Sequence, residues 1–218
     1  MSADRARAFL GLALAPALAE DVGARVREAL EAAGALERFA LLRPDELHLT
    51  LVFLGSVERA GLVALEQQLA PALSRFEAPA LGLAATGAFP APGRERVLWV
   101  GVEERARARR LAACRSSALG ALAAVGLADA DAGQPFHPHV TVARARRRPR
   151  VSRGSGSAAR PRPPEEFYGL AFAQAWNPSE VVLFESVPPG ARDAAAPPEG
   201  GTGRYRALAR FPFRSVLG

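Results

Sequence analysis

Residues 46–54, Glu-Leu-His-Leu-Thr-Leu-Val-Phe-Leu, begin by alternating polar and apolar side chains and end against Gly55. Successive side chains of a strand point to opposite faces, so His48 and Thr50 project together while Leu49 and Leu51 pack behind them. His139-Val140-Thr141-Val142 repeats this arrangement at an offset of 91 residues. That offset is far longer than a solenoid repeat, so the sequence describes two lobes, each contributing one His-x-Thr strand.

Working outward, residues 9–14 form an apolar run that reads as a strand, and Val22, Val26, Leu30 and Ala33 give residues 17–33 helical spacing. A second helix uses Leu62, Leu65 and Leu69, with Pro71 near its end. Residues 81–86 and 96–100 read as strands separated by the turn-forming segment Pro90-Ala91-Pro92-Gly93. The spacing of Leu111, Leu119, Leu122 and Val125 predicts the longest helix over 103–125, stopped by Gly126. Residues 136–143, 180–185 and 204–211 return to strand character. Helices alternate with strands, but several strands are consecutive, which favours α+β over a doubly wound parallel sheet.

A chain of 218 residues with 49% hydrophobic and 23% charged residues can bury a substantial core, so disorder does not account for it. No stretch reads as a membrane span or signal peptide, and the lone Cys114 has no partner for an intramolecular disulfide; a cytoplasmic protein is expected. The formal charge is +6 and every basic residue but the histidines is arginine, whose planar fork suits phosphate. Eight arginines lie between Arg144 and Arg162 with no acid among them, around Gly154-Ser155-Gly156-Ser157 and Pro161, Pro163 and Pro164. Residues 145–165 therefore read as a flexible Arg-rich loop, either a solvated insertion or an arm that gathers a nucleic-acid backbone.

Two His-x-Thr strands facing one cleft would present two imidazoles and two hydroxyls to a small volume. Imidazole titrates nearest neutrality, so one ring can accept a proton while the other donates one, as in-line displacement at phosphorus requires. Hydroxyl donors then hold the non-bridging oxygens. Two competing readings stand beside this one. His48, His137 and His139 could form a three-histidine zinc site, although that leaves the matched threonines without a purpose. A non-catalytic RNA-binding module would rely on the arginines alone. Phe9, Phe53, Trp99 and Phe136 could stack on a base, but aromatic residues on strands are more often core, and none is assigned. His137 reads as a rim or structural residue.

The segments PDELHLTLVFLG (44–55), GAFPAPGRERVLWVGV (87–102), PFHPHVTVAR (135–144) and EVVLFES (180–186), with the terminal RYRALARFPF, resemble the two-histidine (2H) phosphoesterase superfamily. Within it they are similar to the RNA 2′,3′-cyclic phosphodiesterases, historically called 2′-5′ RNA ligases. The resemblance implies one bilobal domain over 1–218, with two antiparallel sheets facing a central cleft, outer helices and a pseudo-twofold relation. It implies hydrolysis of RNA 2′,3′-cyclic phosphate ends to 2′-phosphomonoesters, with His48 as proton donor, His139 as proton acceptor, and Thr50, Thr141 and Arg144 binding phosphate. It further implies no metal, no cofactor, no membrane and no obligate protein partner, a monomer, and minor ATP-independent 2′-5′ ligation. Another small cyclic phosphate is an alternative substrate.

Overall fold

A computed structural model describes residues 4–105, 109–127, 131, 135–146, 164–187 and 204–214. Nine strands are present among these residues: β1 (Arg5–Ala13), β2 (Phe39–Leu41), β3 (His48–Glu58), β4 (Leu81–Phe89), β5 (Val97–Glu104), β6 (His139–Ala145), β7 (Ala175–Trp176), β8 (Glu180–Ser186) and β9 (Tyr205–Pro212). The helices are α1 (Pro16–Ala32), α2 (Leu62–Leu73), α3 (Arg110–Ala124) and the one-turn α4 (Glu165–Tyr168). Nothing among the described helices is long and apolar enough to cross a membrane.

The strands form an antiparallel sheet in the order β7-β4-β5-β6-β3-β1-β8-β9, with β2 added beside β6. Each half has a strand, a helix and then a His-x-Thr strand that pairs with the first, β1-α1-β3 on one side and β5-α3-β6 on the other, and the two His-x-Thr strands are neighbours at the centre of the order. The two halves are therefore related by a pseudo-twofold axis between β3 and β6. They meet at one bridging pair, Leu49 opposite Val140, so the two expected sheets are the halves of a single curled sheet. Equivalent backbone bonds repeat across the axis: Leu14 N–H donates to the Leu47 carbonyl at 3.0 Å, and Val102 N–H to the Pro138 carbonyl at 2.9 Å.

α1 starts on Pro16, whose fixed φ suits the first helical position, and buries Leu18, Val22, Val26, Ala29 and Leu30 along one stripe. Fully burying a Val or Leu side chain is worth about 1.5–3 kcal/mol. α2 buries Leu65, Leu69 and Leu73, and α2 and α3 pack together against the β3-β1-β8-β9 half. α1 packs on α4, which lies on β4 in the other half. Each half is thus backed partly by the helix that leaves its counterpart.

Two expectations change. The helix expected over 103–125 begins at Arg110, because β5 continues through Glu104. The Glu104 carboxylate accepts the N–H groups of Arg110 at 2.7 Å and Leu111 at 3.3 Å, capping the helix from outside it. At 15 residues α3 is also shorter than α1, which has 17. Of the loop expected over 145–165, residues 147–163 lie outside the described residues, between β6, which ends at Ala145, and α4, which begins at Glu165.

Candidate active site

β3 and β6 carry the two motifs to the axis. Leu49 and Val140 are fully buried on the core side, so the flanking His48 and Thr50, and His139 and Thr141, face the opposite side. Beyond the bridge β6 leaves β3 and pairs with β2, Leu41 lying opposite Ala143. This opens a cleft of about 340 Å³ lined by both histidines, both threonines and Arg144. The structure thereby brings together all five residues singled out as catalytic or phosphate-binding.

Both imidazoles are fixed in the same way. His48 Nδ1 lies 2.7 Å from the Glu46 carbonyl and His139 Nδ1 lies 2.6 Å from the His137 carbonyl. A carbonyl only accepts, so each Nδ1 carries the proton, and in the neutral ring each Nε2 is left as a bare acceptor. The carbonyl two residues upstream reaches the ring because each strand enters from an irregular segment, a 3-10 turn at Pro44–Glu46 and the Phe136–Pro138 approach. The Glu46 carboxylate accepts from the Arg43 backbone N–H and from Arg204 Nε, both at 3.1 Å, which anchors the carbonyl that holds His48.

The surroundings of the rings differ. His48 stacks on Phe9 at 4.8 Å between centroids and meets the edge of Tyr205 at 4.9 Å. Burial among these rings pulls its pKa from 6.5 down to about 4, the Glu46 carbonyl working against the shift and Arg144 and His139 adding to it. His139 is lowered as well, by burial first, against the His137 carbonyl. Its neighbours are Phe89 at 5.1 Å and Trp99 at 6.1 Å. Room for Trp99 depends on Gly87, where an added Cβ would fall 2.2 Å from the indole Cζ2. With no anion bound, both imidazoles are neutral at pH 7.

Among the described residues the remaining lining is one-sided. Arg7, Ala8, Phe9, Phe53, Gly55, Ser186 and Tyr205 all belong to the β3-β1-β8-β9 half. Phe9 is buried against His48, whereas Phe53 is 56% exposed. Arg7, Ser186 and Tyr205 escaped sequence reasoning, because they come from strands without a polar motif of their own. Their only signal was alternation within β1, β8 and β9. The three-histidine zinc reading fails on geometry: His137 faces Trp99 and Phe89, outside the cleft lining. No group of three His, Cys, Asp or Glu able to hold a metal ion occurs among the described residues. Cys114 is buried in α3 with its thiol pushed up to about 12, so it is no nucleophile.

A pseudo-twofold antiparallel sheet with one His-x-Thr pair on each of its two central strands is the arrangement of the two-histidine phosphoesterases. Comparison with known proteins agrees. A family model described as the 2′-5′ RNA ligase superfamily matches residues 15–176, and the chain belongs to that superfamily. Curated proteins named RNA 2′,3′-cyclic phosphodiesterase are similar to it. The one from Archaeoglobus fulgidus is 32% identical over 93 residues, 43% of this chain and 52% of the relative. That from Aeropyrum pernix is 35% identical over 121 residues, 56% of this chain and 64% of the relative. The chain thus spans between half and two thirds of these relatives' length. A crystal structure of a Thermus thermophilus protein superposes with a TM-score of 0.64 at 25% identity, covering 95% of this chain and 98% of the other.

Proposed function

We propose that residues 1–218 act as one bilobal domain that hydrolyses 2′,3′-cyclic phosphate at RNA 3′ ends, in the cytoplasm, to leave a 2′-phosphomonoester. The observation that carries this reading is the pair of Nδ1-anchored imidazoles on equivalent strands of one cleft. The names of the relatives support the substrate class. His139 Nε2 takes the proton of an attacking water. His48, protonated as the anionic substrate enters, gives its proton to the departing 3′ oxygen. Thr50, Thr141 and Arg144 hold the non-bridging oxygens as charge builds on phosphorus.

The assignment of acid and base has support in the lining. The ribose carries the leaving oxygen, and the half-site with room for a nucleoside is the one beside His48, while His139 has the opener surroundings for water. The chemistry asks for neither metal nor nucleotide cofactor, since the cyclic ester brings its own strain. With an RNA 5′ hydroxyl in place of water as the nucleophile, the same forward steps join it to phosphorus, release the 3′ oxygen and form a 2′-5′ linkage without ATP as a minor activity.

The test is incubation of the purified protein with an oligoribonucleotide ending in a 2′,3′-cyclic phosphate, in EDTA and without ATP. The expected product is the 2′-phosphate. A 3′-phosphate, or turnover that appears only after zinc is added, refutes the reading.

A further inference from the structure

We infer that the β3-β1-β8-β9 half of the cleft is a docking track for the last nucleotide of an RNA chain together with the phosphate on its 5′ side. The substrate class is then a polynucleotide 3′ end, discriminated from a free nucleoside cyclic phosphate. This inference rests on the phosphodiesterase reading above and deepens it.

The reacting phosphate occupies a frame that obeys the pseudo-twofold axis, but the rest of the lining does not. The order of groups along β1 and β3 says what that extra lining is for. Gly11 pairs with Thr50, Phe9 with Phe53, and Arg7 with Ser56. Moving out from the phosphate hydroxyl at Thr50, the cleft therefore presents an aromatic ring and then a cation. Phosphate, nucleoside, phosphate is the order in an RNA terminus. From the level of Gly11 to that of Arg7 is four residues of strand, about 13 Å. The flexible stem of Arg7 lets its guanidinium reach back over part of that span.

Two further observations show that these side chains are held ready for a ligand. Phe53 is 56% exposed on the cleft face. A large ring left in water beside a row of polar groups gains most of its burial only when something stacks on it, and a nucleobase does so whatever its identity. Arg7 is exposed, and its guanidinium has no hydrogen bond or ion pair among the described residues. Other arginines of this half are engaged: Arg5 with Ser56 and Glu58, Arg59 with Asp4 and Glu185, and Arg206 with Glu185. Asp4, Glu58 and Glu185 are thus paired with other arginines, and among the described residues the fork of Arg7 remains available for phosphate oxygens.

The experiment compares adenosine 2′,3′-cyclic phosphate with the dinucleotide ending in the same cyclic phosphate, using the wild type, Arg7→Gln and Phe53→Ala. The wild type is expected to favour the dinucleotide about tenfold or more in kcat/KM. Arg7→Gln should cut that ratio about tenfold, and Phe53→Ala should raise KM for both substrates by about tenfold. Equal kcat/KM for the two substrates in the wild type, or an Arg7→Gln loss equal on both, overturns the inference. Calorimetric binding of the two 2′-phosphate products separates this from failure of the parent reading. If neither cyclic substrate turns over, the phosphodiesterase reading falls; a dinucleotide preference in binding that Arg7→Gln removes still upholds the track, and equal binding sinks it.

Discussion

Binding of a substrate-like anion should draw a proton into the cleft. His48 titrates at about 4 in the free site, so at pH 7 roughly one molecule in a thousand carries the imidazolium that general-acid catalysis needs. Protonating it at that pH costs about 4 kcal/mol, at 1.36 kcal/mol per unit. A phosphate monoanion about 4 Å from the ring returns about 4 kcal/mol at an effective dielectric constant of ~20. The two quantities nearly cancel, so anion and proton must bind together. A cyclic phosphonate analogue, whose single charge does not titrate between pH 5 and 8, isolates the protein's contribution. Its affinity should rise towards tenfold for each unit the pH falls. Calorimetry at pH 7 in buffers of different ionisation enthalpy should count between a half and one proton taken up. His48→Asn should abolish the uptake. Zero uptake in the wild type, or undiminished uptake in His48→Asn, would refute the reasoning.

Alanine at His48 or His139 should lower kcat by about 10²–10⁴ with RNA affinity largely kept, and Thr50→Val or Thr141→Val by about 10², measured as single-turnover rates. The low pKa of His48 also makes a stability statement. Between pH 6.5 and about 4 the unfolded ring binds a proton that the folded ring refuses, so its contribution, present above 6.5, is lost as the pH falls through that window. The loss is at most about 3 kcal/mol, less in a ring that water partly reaches, and shows as the difference in urea midpoints between wild type and His48→Asn at pH 7 and pH 4.5. Glu185 is buried between Arg59 and Arg206, which are 32% and 41% exposed. Glu185→Ala should cost about 3 kcal/mol in chemical denaturation, the low end for a broken buried pair because both arginines regain water. Gly87→Ala forces the Trp99 indole aside; a loss of about 1–3 kcal/mol is expected by thermal denaturation, together with a weaker His139-dependent rate.

The reacting frame was legible in the sequence because strand alternation is a local rule. His48 and Thr50, two apart, must share a face wherever the strand lies, and the second copy at His139 and Thr141 announces a partner. Glu104 shows where locality fails. Its carboxylate serves the next helix from a strand, and no periodicity separates a helical residue from one that caps a helix. The short β2 and β7 lie below the length at which alternation registers. Phe53 could not be told from a core aromatic, since its exposure depends on β3 reaching past the bridge to the rim. Tyr205 and Arg204, more than 150 residues from His48, join the site only through the pairing of β9 with β8 and the reach of Arg204 to Glu46.

On the proposed mechanism, the pseudo-twofold sheet would separate two jobs, reaction and recognition. Rotating a bound cyclic ester half a turn about the seam would present it to the same atoms with donor and acceptor exchanged, and the product would be unchanged. On the proposed mechanism, what would label one imidazole the acid is the lopsided wall at Phe9, Phe53 and Arg7. A descendant that moved that wall to the opposite lobe would inherit a working reaction without altering a single reacting residue, so the address can drift while the engine stays fixed.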